Sequence, residues 1–230
     1  MAVKVYHPEW GKSPIRGVLF DMDGLVLDTE KLYTRFWREA ANDLGWPMTF
    51  SQALGMRSLN RDLGQAKLES YFGPGVSYTE IRARRIELMD AHIARYGIDV
   101  KPGIRQLLEY LQEKGIRCAI TSSSPMANIQ RHLGAHGLLE GFDKLCSGYD
   151  VPNGKPAPDI YLYGAASLDL KPEECLALED SPAGIESAFR AGCHPVIIPD
   201  LDEPSRETTE KCFAKADSLA DIIDILEYLR

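Results

Sequence analysis

From Ile104 to the C-terminus, short apolar runs alternate with stretches of helical period, and that alternation leaves few ways to fold. Ile104, Leu107, Leu108 and Leu111 mark a helix ended by Gly115, and Ile116–Thr121 is a strand. Ser124–Pro125 predicts an N-cap with proline at N1 for the next helix. Asp143–Ser147, Cys175–Glu179 and Pro195–Ile198 read as further strands. Between them lie helices over Pro158–Leu168 and from Ser181–Pro182 to Arg190, the second stopped by Gly192. A last helix is lined by Leu219, Ile222, Ile223, Leu226 and Leu229. Strands separated by helices pair in parallel and are covered on both faces. The expected class is α/β, a Rossmann-like parallel sheet with helices on both faces.

The first strand of that sheet stands upstream. Arg16–Phe20 runs straight into Asp21-Met22-Asp23-Gly24, two carboxylates spaced i, i+2 before a turn signal. Residues 1–14, with Pro8 and Pro14, read as an irregular lead-in. After Asp28 the pattern changes. Leu32, Phe36, Trp37, Ala40 and Leu44 recur at helical spacing, with Asp28 or Thr29 as N-cap and Gly45 closing the end. Leu59–Phe72 also reads as helix, and Ser77-Tyr78-Thr79-Glu80 has capping-box spacing before Ile81, Leu88, Met89 and Ile93. Trp46 to Gly97 shows no strand pattern. Residues 29–97 are therefore expected to be a helical insert in a core built from 1–28 and 98–230.

Composition excludes several classes. A net charge of -8 argues against a nucleic-acid partner, which requires a positive footprint. The basic run Arg82-Ala83-Arg84-Arg85 is flanked by Glu80 and Glu87 and reads as a solvated helix face. The five cysteines are odd in number and widely spaced, which fits a reducing compartment and no zinc site. No apolar run approaches membrane-spanning length, and the N-terminus lacks a signal-peptide core. A cytoplasmic protein with no membrane partner is expected.

Chemistry concentrates where strands end. The first strand ends in Asp21 and Asp23, the next in Thr121-Ser122-Ser123-Ser124 ahead of a helix N-terminus, and a third in Glu179-Asp180. Lys155 sits in the proline-stiffened loop Gly154-Lys155-Pro156-Ala157-Pro158-Asp159. In a parallel sheet these ends converge at one edge. Four carboxylates gathered there repel strongly, since two unit charges 4 Å apart interact by about 4 kcal/mol at an effective dielectric near 20. One lysine cannot offset them, whereas a hard divalent cation such as Mg²⁺ can. Metal, ammonium, hydroxyl and backbone amides around a vacancy suit a phosphoryl group. Each motif alone has an ordinary reading as a turn, a helix cap or a surface lysine; four in order do not.

Together, Asp21-Met-Asp-Gly, Thr121, Lys155-Pro-Ala-Pro-Asp and Glu179-Asp180 resemble the four ordered motifs of the haloacid dehalogenase superfamily. The similarity is to its phosphatase and β-phosphoglucomutase-like branch, with a helical cap inserted after the first motif. The resemblance implies Asp21 as nucleophile, forming an aspartyl-phosphate, and Asp23 as general acid and base. It implies Thr121 and Ser122 on the phosphoryl oxygens, Lys155 bridging Asp21 and phosphate, and a cis Lys155–Pro156 bond. Mg²⁺ would be held by Asp21, the Asp23 carbonyl, Asp180 and Glu179, the last directly or through water. Gly24 and Ser123 border the same place.

The second acid of the first motif, Asp23, argues against dehalogenation. Leu54-Gly55-Met56-Arg57 resembles the cap segment that meets substrate in this branch. Where its sugar-phosphate mutases carry a histidine, this chain has Tyr33, which cannot serve as an imidazole. The resemblance therefore implies a Mg²⁺-dependent phosphatase of a small phosphomonoester, ahead of a mutase or a catalytically silent binding protein; a monomer is expected, though the sequence does not fix the oligomeric state. The natural substrate is not legible.

Overall fold

The computed structural model describes residues 3–10, 14–57, 59 and 61–229. Seven strands form one sheet in the order β1-β7-β6-β5-β2-β3-β4. They are β1 Val3–Val5, β2 Gly17–Phe20, β3 Arg117–Ser122, β4 Lys144–Ser147, β5 Cys175–Glu179, β6 His194–Ile197 and β7 Ala214–Ala216. The helices are α1 Glu30–Asp43, α2 Phe50–Leu54, α3 Arg61–Phe72, α4 Tyr78–Tyr96, α5 Ile104–Lys114, α6 Met126–Ala135, α7 Asp159–Ser167, α8 Pro182–Ala191, α9 Arg206–Thr209 and α10 Ile222–Tyr228. The sheet is parallel except at one edge, where β1 pairs antiparallel with β7.

The central strands are continuous apolar runs because both sheet faces are covered. Val18, Leu19 and Phe20 of β2 and Leu176, Ala177 and Leu178 of β5 have no exposure. One face packs Leu19, Ala119, Ala177 and Cys175 against Ile160, Tyr161, Ala165 and Ala188 of α7 and α8. All five cysteines are buried free thiols.

Residues Met1–Leu27 with Val100–Arg230 form one unit and Asp28–Asp99 a second. The second unit, the inserted cap, is helical throughout its regular structure and has its own core. Trp37, Ala40, Met48, Leu68, Tyr78 and Ile81 pack together there. Leu27 bridges Val100 at the edge of the first unit, and Asp28 N–H donates to Asp99 O at 2.8 Å within the second.

Three local expectations are corrected. Residues 1–14 are not wholly irregular: Val3–Val5 is the edge strand and Pro8–Trp10 a 3₁₀ turn. Three residues carry too little periodicity to be read without their partner. Pro125 occupies the N-cap position of α6, not N1: its ψ of 145° is extended, and its carbonyl accepts the first helical bond, from the Ile129 amide at 3.1 Å. Thr29 takes the expected N-cap position of α1, without a side-chain capping bond, whereas α2 was not anticipated and is capped reciprocally by Thr49 and Gln52. No helix among the described residues is long and apolar enough to cross a membrane.

Candidate active site

Strand register brings the strand ends together. Phe20 of β2 is flanked by Ile120 of β3 and Leu178 of β5, so Asp21, Thr121 and Glu179 fall at one level just beyond them. The Asp21 amide continues the ladder, donating to Leu178 O at 3.0 Å. The carboxyl ends of central parallel strands are where α/β sheets leave room for a ligand. Gly24 turns the chain away with a φ of 89°, a region costly for residues with a Cβ. Its amide donates to Leu27 O at 2.8 Å, which closes the turn.

Lys155 reaches into this level from the loop before α7, across a cis Lys155–Pro156 bond. Its Nζ donates to Asp21 Oδ1 at 2.5 Å and to Glu179 Oε1 at 2.5 Å. The three side chains are almost sealed, at 8%, 10% and 0% exposure. Burial opposes the ammonium charge, but Asp21 and Glu179 outweigh it and hold Lys155 well above the usual lysine range. Burial pushes the Asp21 carboxyl up to about 8; Lys155 pulls against this, while Glu179 and Asp23 add to the rise. The site as it stands has more negative charge than its one ammonium can settle.

Asp21, Glu179 and Asp180 each offer an oxygen within 4.8 Å of the others, and all three are buried. Glu179 is the most committed of them. Its Oε1 also accepts from the Tyr161 hydroxyl at 2.6 Å, and its Oε2 accepts from the Ser181 hydroxyl at 3.1 Å. Ser181 in turn caps α8, accepting from the Gly184 amide at 3.1 Å. Gly184 leaves room for the carboxylate: a Cβ there would lie 1.9 Å from Glu179 Cδ.

The hydroxyl loop after β3 is also organised. The Thr121 hydroxyl, fully buried, donates to Phe20 O at 3.2 Å. Ser122 is buried too, and its oxygen accepts from the Ser124 amide at 3.0 Å. Ser124, read from sequence as a helix cap, instead donates to Asp23 Oδ2 at 2.9 Å. Ser147, at the end of β4, steadies the loop by donating to Ser124 O at 2.8 Å. Ser123 stays exposed.

The structure thus gathers Asp21, Asp23, Gly24, Thr121, Ser122, Lys155, Glu179 and Asp180 at the carboxyl edge of one sheet. Tyr33, Gly55 and Arg57 belong to the other unit. There Arg57 Nε lies 3.5 Å from Glu30 Oε2, and the Tyr33 ring centroid is 4.7 Å from the Arg85 guanidinium. Arg85, read as part of a solvated run, is buried, which lowers its pKa. Sequence reasoning passed over Tyr161 and Gly184, and read Ser124 and Ser181 as helix caps without their contacts to Asp23 and Glu179. The one available signal was a tyrosine six residues after Lys155 inside an apolar helix, since a buried phenol needs a partner.

Known proteins resemble this chain along most of its length. The profile of the haloacid dehalogenase-like hydrolases matches residues 15–192. A phosphorylated carbohydrates phosphatase of Thermotoga maritima is 31% identical over 77% of this chain and 82% of its own length. A β-phosphoglucomutase of Bacillus subtilis is 29% identical over 80% of this chain and 83% of its own length. The crystal structure of CbbY from Rhodobacter sphaeroides in complex with phosphate superposes with a TM-score of 0.71 at 28% identity, covering 90% of this chain and 96% of that one. The chain belongs to the haloacid dehalogenase-like hydrolase family, and it is an enzyme of that family.

Proposed function

We infer that the protein is a Mg²⁺-dependent phosphatase that hydrolyses a small phosphomonoester through an aspartyl-phosphate on Asp21. The observation that carries this reading is the Asp21–Lys155–Glu179 chain at the strand ends, with Asp180, Thr121 and Asp23 around it. Asp21 is a carboxylate nucleophile whose Oδ1 is held by Lys155, leaving Oδ2 to attack phosphorus. Lys155 then meets the charge that gathers on the phosphoryl oxygens. Asp23, steered by Ser124, gives a proton to the leaving oxygen and later takes one from water. Thr121 and the amides of Ser122 and Ser123 bind the phosphoryl group.

An all-oxygen donor set of buried carboxylates fits a hard cation. Asp21, Asp180 and the Asp23 carbonyl would hold Mg²⁺, and Glu179, its oxygens already accepting from Lys155, Tyr161 and Ser181, would act on the lysine instead. Bound there, Mg²⁺ would neutralise acid charge and polarise the phosphoryl group. The relatives include both phosphatases and a mutase. Tyr33 favours the phosphatase: its ring packs against the Arg85 guanidinium, and it supplies no imidazole to a second acid–base step.

A phosphate-release screen over sugar, polyol and nucleoside phosphates, with Mg²⁺ and with a chelator, tests the reading. Metal-dependent release that vanishes in Asp21→Asn is expected. No release from any ester would favour a silent binding protein. Conversion of β-glucose 1-phosphate to glucose 6-phosphate, primed by glucose 1,6-bisphosphate and outpacing phosphate release, would favour the mutase.

A further inference from the structure

We propose that Tyr161 is a positioning residue for Lys155, acting through Glu179. This rests on the roles given above to Asp21 and Lys155. Tyr161 lies on α7 and has no exposure, so it meets neither solvent nor substrate. It touches both partners of the lysine's ion pair. Its hydroxyl donates to Glu179 Oε1 at 2.6 Å, the same oxygen that accepts from Lys155. Its ring lies beneath the ammonium, with Lys155 Nζ 5.1 Å from the centroid.

The ammonium stands between two carboxylates at equal distance, 2.5 Å from each. How it divides itself between them depends on how much of each anion's charge is met by other donors. Glu179 has three neutral donors, the Tyr161 hydroxyl on Oε1 and the Ser181 hydroxyl and amide on Oε2, which disperse its charge and fix its rotation. Removal of the phenolic donor leaves Oε1 with Lys155 alone in a dry pocket. Glu179 then draws the ammonium toward itself, and Asp21 loses the contact that holds its Oδ1 away from phosphorus. Packing alone would need the ring but not the hydroxyl.

Tyr161→Phe separates these roles, because it keeps the ring and removes one oxygen. Crystal structures of both full-length proteins read the lysine directly. In the variant Lys155 Nζ is expected to move out of hydrogen-bond distance of Asp21 Oδ1 while the sheet stays in place. An unchanged Lys155–Asp21 pair overturns the proposal whatever the substrate is.

Steady-state hydrolysis of p-nitrophenyl phosphate reads the consequence. The variant is expected to lose about tenfold in kcat, with KM and the Mg²⁺ concentration for half-activation each within about twofold of wild type. A kcat equal to wild type assigns Tyr161 to packing and overturns the proposal. So does a raised Mg²⁺ requirement with kcat retained, which would place Glu179 on the metal. A lysine that moves in a protein inactive on every ester supports the positioning role and overturns the phosphatase reading instead.

Discussion

Replacing Gly184 by alanine sets helix propensity against the site. Gly184 is the third residue of α8, where the preference for alanine over glycine reaches at most its helix-interior value of about 0.8–1.0 kcal/mol. Propensity alone therefore expects stabilisation. The structure expects the opposite, because the new Cβ would lie 1.9 Å from Glu179 Oε1 and 2.1 Å from Oε2. That carboxylate is fully buried and held by Lys155, Tyr161 and Ser181, so it cannot swing into solvent. Displacing it breaks a buried ion pair, worth roughly 3–5 kcal/mol when one partner is lost. Subtracting the gain in propensity leaves a net destabilisation of about 2–4 kcal/mol. For a chain of this size each kcal/mol moves Tm by about 2–4 °C, so a fall of roughly 4–16 °C is expected. The assay is thermal unfolding by circular dichroism, with Gly154→Ala as control. A Cβ at Gly154 meets nothing within 4 Å, so that variant should stay within about 0.5 kcal/mol of wild type. A Gly184→Ala protein as stable as wild type would refute the claim that Glu179 is pinned between α8 and Lys155.

Other expectations concern the hydroxyls, the metal and pH. Thr121→Val should lower kcat/KM on p-nitrophenyl phosphate by about tenfold or more, and Thr121→Ser by less than about threefold; equal losses would mean that the hydroxyl is not what matters. Ser124→Ala frees Asp23 Oδ2 and should lower kcat by about tenfold, read in the same assay. Mg²⁺ at one hundred times its Kd should stabilise the chelator-treated protein by about 2.7 kcal/mol, and Asp180→Asn should lose most of that gain in Tm. His194 gives a pH effect independent of the metal. Its Nε2 donates to Glu173 O at 3.0 Å, its Nδ1 is buried without a partner, and burial lowers its pKa below the usual histidine value. As pH falls below about 6.5 the unfolded chain takes up a proton that the folded chain resists, so stability is lost on the acid side. His194→Gln should flatten that part of a denaturation midpoint against pH, and an unchanged slope would contradict it.

The sequence was legible where one residue type does one thing over several positions. The apolar runs of β2, β3 and β5 announce buried strands, and the acids and hydroxyls at their ends announce the site, because parallel pairing leaves those ends together. The haloacid dehalogenase resemblance was legible for the same reason, since its four motifs sit at fixed places along the fold. What failed were features set by a distant partner. β1 has three residues and is a strand only because β7 lies beside it. Ser124 looks like a cap, but Asp23, distant in sequence, claims its hydroxyl. Tyr161 reads as one more apolar residue of α7 until Glu179 is seen at its hydroxyl. Arg85 reads as part of a solvated basic run, yet the rings of Tyr33 and Trp37 face its guanidinium at 4.7 and 5.1 Å.

The proposed phosphatase reaction requires Asp21 to become covalently phosphorylated during turnover. Quenching the enzyme with borohydride while it turns over p-nitrophenyl phosphate, then mapping its peptides by mass spectrometry, asks this directly. Reduction of the acyl phosphate to homoserine at position 21, dependent on both Mg²⁺ and substrate, is the predicted result. Hydrolysis that proceeds with Asp21 unreduced, or with the modification on another residue, would contradict it.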